Sequence, residues 1–177
     1  MEKDFPRMRL DLGHGGERET NSFAEEFQVR GPEGDDIPCL ASVTVESTRT
    51  GNRYLLEGTV EADIRENCSR CLKTTDFRIV AEFSLILQRG GGIPEGVEEE
   101  DFVLISEAQE YDFDVFPAVR EAVLLEMPIK YLCSESCAGL CPGCGADLNE
   151  GPCQCGGRDA DPRWGPLKKL LKEEDDK

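Results

Sequence analysis

Apolar and polar residues alternate most regularly in the middle of the chain. From Tyr54 to Arg65, the residues Tyr54, Leu56, Gly58, Val60, Ala62 and Ile64 share one face, and Glu57, Thr59, Glu61, Asp63 and Arg65 share the other. A period of two is that of a half-buried antiparallel strand. The alternation recurs from Phe77 to Gln88, with Phe77, Ile79, Ala81, Phe83, Leu85 and Leu87 on the apolar side. Upstream, Ala41, Val43 and Val45 continue it and reach the Tyr54 strand through the turn residues Thr50-Gly51-Asn52. These three strands predict a meander. Weaker alternation at Met8–Leu12 and from Phe23 to Val29 predicts two more strands around the glycine-rich Gly13-His14-Gly15-Gly16, and Phe102–Ile105 adds a short one.

The period becomes helical once. Asp114 is placed to cap a helix with Pro117 in its first turn, and Phe116, Val119, Val123 and Met127 keep helical spacing until Pro128 stops it. From Leu132 to Cys155 the composition turns to Cys, Gly and Pro, with too few large apolar side chains for a core of its own. The expected architecture is α+β: an antiparallel β-meander sheet or partly open barrel with one packed helix and a C-terminal zinc-knuckle appendage. Residues 1–132 are expected to form the β-rich domain with a hairpin Cys-x-x-Cys. Residues 133–177 are expected to form a cysteine-rich zinc-binding module with a docked tail.

Composition changes the picture in two ways. With 177 residues, 38% of them hydrophobic, the chain is long enough for one sizeable core without staples. The start, Met1-Glu2-Lys3-Asp4-Phe5-Pro6-Arg7, lacks the apolar run of a signal peptide, and no stretch approaches the ~20 apolar residues of a bilayer span. A cytoplasmic protein with no membrane association is expected. The formal charge is −17, from 37 acidic and 20 basic residues. Phosphate backbones are bound by Lys and Arg, so this balance disfavours RNA contact and suits a basic protein partner. The acidity is dense in Ile93–Glu126, where Arg120 is the single basic residue, and its first part, through Asp101, reads as a solvated loop.

Nine cysteines carry the candidate chemistry. In a reducing compartment they make poor disulfides, and an odd number leaves one unpaired, so metal ligation explains them better. Cys68-Ser-Arg-Cys71 falls between two predicted strands, where a tight turn can aim two thiolates at one tetrahedral zinc ion with Zn–S distances of ~2.3 Å. Cys141-Pro-Gly-Cys144 repeats the spacing, and the following Gly145 permits the positive φ of such turns. Cys133, Cys137, Cys153 and Cys155 complete a set of eight. The favoured partition is Cys68, Cys71, Cys133 and Cys137 as a site tying the hairpin to the helix exit, with Cys141, Cys144, Cys153 and Cys155 as a local site. Zn2+ is thus expected at one or two structural sites. A single site joining Cys68 and Cys71 to Cys141 and Cys144 fits the same spacing, and iron in place of zinc fits the same ligands.

Other readings of the polar residues weigh less. A thiol oxidoreductase pair belongs at a strand-to-helix turn, whereas Cys68 and Cys71 fall in a hairpin. A catalytic zinc keeps an open position and usually a His ligand, yet the sole histidine, His14, lies in the glycine-rich loop far away in sequence. Glu121 and Glu126 fit a solvated helix face, and Cys39 fits a buried small hydrophobe. Arg163 and Trp164, beside Lys168, Lys169 and Lys172, could stack on a base, but a tail tryptophan more commonly docks on its own domain. No enzyme is expected.

Taken together, Cys68-x-x-Cys71, Leu132-Cys133, Cys137-Ala-Gly139-Leu140-Cys141-Pro142-Gly-Cys144-Gly145, Leu148-Asn149, Cys153-x-Cys155 and Asp161-Pro162-Arg163-Trp164 resemble the bacterial YceD family of large ribosomal RNA subunit accumulation proteins. The resemblance runs from about Gly58 to Leu171. It implies a non-enzymatic role in maturation or accumulation of large-subunit ribosomal RNA; combined with the acidic surface and closed metal sites, it leads to the expectation of a ribosomal protein or ribosome assembly factor as partner. It carries over no catalytic residues.

Overall fold

In the computed structural model, residues 6–31, 34–91 and 102–155 are described. They divide into two compact units, one formed by 6–66 with 74–131 and the other by Asn67–Lys73 with the chain from Leu132 onward.

The first unit is built on a five-stranded sheet. Its strands are β2 (Arg18–Arg30), β3 (Asp36–Thr50), β4 (Arg53–Asn67), β5 (Thr74–Arg89) and β6 (Phe102–Ile105), hydrogen-bonded in that order, while β1 (Arg9–Leu10) pairs with β7 (Phe113–Asp114) in a separate ribbon. The expected meander is present. β3 and β4 pair antiparallel with Val43 opposite Val60 and Val45 opposite Gly58, and β2 extends the series antiparallel to β3 with Phe23 opposite Val43. β6 joins parallel to β5, with Ile86 opposite Phe102. β2 and β6 are the two edges, so the sheet is open and not a closed barrel.

The period-two pattern has the predicted consequence. Val43, Val45, Leu56, Val60 and Ala62 are buried, and with Met8, Leu10, Val115, Phe116, Val119 and Val123 they form one core. Gly58 belongs to that face for a steric reason, since a Cβ there would lie 2.2 Å from the Phe83 ring. β2 begins five residues before the predicted Phe23, because Arg18–Ser22 shows no apolar alternation and is held by its register against β3.

Helix α2 spans Phe116–Glu126. Its N-cap is Val115, which makes no side-chain cap bond, rather than the predicted Asp114, whose carboxylate one residue earlier accepts from the Phe116 N–H at 3.1 Å; Met127 turns extended ahead of Pro128. A short helix that the hydrophobic pattern does not announce, α1 (Glu107–Glu110), starts with a capping box in which Ser106 and Gln109 satisfy each other's backbone N–H groups. It delivers Glu110, 1% exposed, into the core. There the carboxylate accepts from the Tyr54 hydroxyl and from Arg89 Nη1 at 2.7 Å, with Arg49 Nη2 3.9 Å away. The Tyr54 hydrogen bond and Arg89 hold Glu110 below the usual carboxylate range. Among the described residues, no helix is long and apolar enough to cross a membrane.

Among its described residues, the second unit has little apolar substance. Its buried cluster is Cys68, Cys71 and Cys137, with Leu132, Cys133 and Leu140 packed against it. Its only described pairing outside the named strands is the isolated bridge Leu140–Asp147. The predicted acidic loop through Asp101 and the tail with Arg163, Trp164, Lys168, Lys169 and Lys172 lie outside the described residues.

Candidate metal centres

The two Cys-x-x-Cys segments fold into the same turn. In the first, the Cys68 N–H donates to the Lys73 carbonyl at 2.9 Å and the Leu72 N–H donates to the Cys68 carbonyl at 2.9 Å. In the second, the Cys141 N–H donates to Ala146 at 2.8 Å and the Gly145 N–H donates to Cys141 at 2.8 Å. Each turn also aims a backbone N–H at its leading sulfur, Arg70 to Cys68 Sγ at 3.5 Å and Gly143 to Cys141 Sγ at 3.4 Å. Both need a left-handed residue after the second cysteine, with φ of 75° at Gly145 and 58° at Leu72. Gly145 meets the demand freely, whereas Leu72 accepts a conformation that costs an L-residue about 1 kcal/mol.

The remaining cysteines close on these turns. Sulfur to sulfur, Cys68–Cys137 is 3.8 Å and Cys71–Cys133 is 3.6 Å. In the second group Cys141–Cys155 is 3.4 Å, Cys153–Cys141 is 3.3 Å and Cys153–Cys155 is 3.4 Å. Within each tetrad all four sulfurs lie within 4.8 Å of one another. These separations far exceed a disulfide bond of ~2.05 Å. They approach the edge of about 3.8 Å that a tetrahedron has when each corner stands ~2.3 Å from a central ion. The donor set therefore fits one thiophilic ion per tetrad.

Electrostatics points the same way. Cys68 is pushed down to about 6, chiefly by the Cys133 N–H and then by that of Cys71, and Cys141 to about 6 by the Gly143 and Cys144 N–H groups. Amide dipoles directed at sulfur favour the thiolate. Cys133 is instead pushed up to about 12 by its neighbours Cys137 and Cys71. Four crowded sulfurs cannot all ionise beside one another, and a dication at their centre removes that conflict.

The structure thus brings Cys68, Cys71, Cys133 and Cys137 together, and separately Cys141, Cys144, Cys153 and Cys155, rather than joining the two Cys-x-x-Cys turns in one site. The groups differ in exposure: Cys68, Cys71 and Cys137 are buried, while Cys144 and Cys155 are exposed. Cys39 stands apart, buried in the first unit's core, where burial pushes its thiol up to about 11. His14 binds Asp11 through Nδ1 at 2.8 Å and leans on Tyr111, a local role in its loop. Glu121 and Glu126 are exposed on α2.

Two supporting residues receive no role from the sequence, although Asn149 falls within the motifs quoted above. Arg70, between the first two cysteines, donates from Nη1 to the Cys137 carbonyl at 2.8 Å and the Glu135 carbonyl at 3.1 Å. Asn149 contacts the Cys137 sulfur at 3.5 Å. Its spacing two residues after Asp147 is an Asx-turn signal, which marks a turn but not a thiol partner.

A sequence model described as large ribosomal RNA subunit accumulation protein YceD matches residues 56–171. The chain is 28% identical, over 80% of its length, to the chloroplastic large ribosomal RNA subunit accumulation protein YCED homolog 1 of Arabidopsis thaliana, and it spans half the length of that relative. It is 29% identical to the Zea mays protein of the same description, over 93% of this chain and 66% of the relative. It is also 30% identical to an uncharacterized protein of Mycobacterium tuberculosis, over 96% of this chain and 84% of the relative. No solved structure matches.

Proposed function

The chain belongs to the YceD family, and on that premise we propose that it is a non-enzymatic zinc protein supporting the accumulation of large-subunit ribosomal RNA through a ribosomal protein or assembly factor. The observation that carries the zinc part is the pair of four-thiol tetrads, with nearest edges of 3.3–3.8 Å. Edges that short surround one ion and leave no room for the inorganic sulfides of an iron–sulfur cluster. Four thiolates close the shell, the arrangement of structural zinc rather than of a site that activates water.

The partner is argued from charge. The net charge is −17, and the outer face of the sheet sets Glu46 directly opposite Glu57 in the β3–β4 register. These two, with Glu82, Thr44 and Thr59, line a hollow of about 540 Å³. Arg18 already pairs with Glu46, and the acidic excess that remains on this face suits a cationic protein segment better than a phosphate backbone.

Two measurements test this reading. Deleting the gene should lower large-subunit relative to small-subunit ribosomal RNA, and the wild-type chain should restore the ratio. An unchanged ratio removes the ribosomal part. Purification of the tagged chain at low and at physiological salt should recover a basic ribosomal protein or assembly factor, less of it with Glu46→Lys and Glu57→Lys together. Salt-dependent RNA binding that weakens when Lys168 and Lys169 are neutralised would replace the protein partner by direct RNA contact.

A further inference from the structure

Only three residues, Ala138, Gly139 and Leu140, separate Cys137 of the first tetrad from Cys141 of the second. They are held from both sides. From the first turn, the Arg70 carbonyl accepts from the Leu140 N–H at 3.1 Å. Gly139, with φ of 75°, passes so close that a Cβ would lie 3.0 Å from that carbonyl oxygen. From the second tetrad's loop, the Leu148 N–H donates to the Gly139 carbonyl at 2.9 Å, and Leu140 bridges Asp147.

Asn149 completes the link. The Ala138 N–H donates to its Oδ1 at 2.7 Å, and a backbone donor there fixes which end of the amide is oxygen. Nδ2 is therefore the end that faces Cys137 Sγ at 3.5 Å, and it also donates to Asp147 Oδ1 at 2.6 Å. An N–H directed at sulfur stabilises the thiolate that a metal requires. Asn149 also lies between Cys144 and Cys153, on the loop that an ion in the second tetrad would pin at both ends.

We infer that the two tetrads form one coupled metal unit in which Asn149 is the positioning residue, so that an ion in either tetrad strengthens binding in the other. This rests on the metal reading above. An ion in the local tetrad fixes the loop that offers Nδ2–H to Cys137, and linkage requires the effect to be reciprocal.

The test uses the full-length chain, with cobalt(II) absorption reporting thiolate ligation at each tetrad and zinc competition giving affinities. Converting Cys153→Ser and Cys155→Ser should weaken the first tetrad about 10-fold or more although all four of its cysteines remain, in the range of lost outer-shell support. Cys133→Ser with Cys137→Ser should weaken the second tetrad by the same factor. Asn149→Asp keeps the acceptor for Ala138, removes the donor and spares every cysteine, and it should weaken the first tetrad about 10-fold. In the background lacking Cys153 and Cys155 its cost should shrink, because the loop is already free. A purely structural asparagine would cost the same in both backgrounds, and that additivity would remove its coupling role. Equal affinity at the first tetrad with the second intact or disabled overturns the coupling and leaves the metal reading standing. A chain that takes up neither cobalt nor zinc overturns both.

Discussion

In the first unit, Val43, Val45, Leu56 and Val60 are buried by neighbours from the sheet and from α2, and the same core reaches back to Met8 and Leu10. In the second unit, the buried cluster among the described residues is Cys68, Cys71 and Cys137, backed by Leu132, Cys133 and Leu140, and Cys141 is buried in the other tetrad. Burying a Val or Leu side chain contributes ~1.5–3 kcal/mol, so the first unit has an apolar source of stability that the described residues of the second do not match. A cluster of thiols without an ion contributes little apolar area and brings like charge together. On the metal reading proposed above, one chain orders itself by two means, with ions serving the unit whose described residues bury little apolar surface.

The largest effect expected from that contrast is selective unfolding. Chelation should abolish protection of the Leu72, Cys141 and Gly145 amides, and Cys68→Ser with Cys71→Ser that of Leu72, while the amides between β3 and β4 keep theirs in hydrogen exchange. Simultaneous loss in both units would break the contrast. Next in size is the reverse experiment. Glu110→Gln leaves Tyr54, Arg49 and Arg89 without their carboxylate and should destabilise the first unit by about 3 kcal/mol in denaturant unfolding, with zinc affinity unchanged.

Acid should also separate the units. The folded Glu110 sits below its ordinary value of 4.5, so its contribution is present above that value and is lost as pH falls through the lowered one. Metal binding competes with protons for eight sulfurs, so the second unit should release its ions at a higher pH than the one at which the first unit begins to lose the Glu110 contribution. Metal content and near-ultraviolet circular dichroism followed over one acid titration would show the two steps, and a single shared step would contradict them. The smallest effect concerns the turns themselves. Leu72→Gly should strengthen the first turn by up to about 1 kcal/mol, whereas Gly145→Leu should weaken the second by a similar amount, as read by metal affinity.

Much of this was legible in the sequence where a single physical pattern dominates. Tyr54–Arg65 and Phe77–Gln88 alternate because one face of the sheet meets the core and the other meets water. Cysteine spacing announced two thiol sites because a tight turn leaves few ways to aim two sulfurs at one point. The rest depended on partners distant in sequence. The N-terminal part of β2 is polar on both faces and follows β3; α1 is a single turn with no apolar stripe; Glu110 resembles its acidic neighbours until Tyr54 and Arg89 meet it. Leu72 carries no glycine to advertise its positive φ, and Asn149 acquires its role only once Ala138 has fixed its amide.

X-ray absorption at the metal edge, with metal content per chain, tests the central claim most directly. Purified protein should hold two zinc ions per chain, each with four sulfur neighbours at about 2.3 Å and no nitrogen or oxygen in the shell. One ion per chain, or a shell containing nitrogen or oxygen, would contradict it.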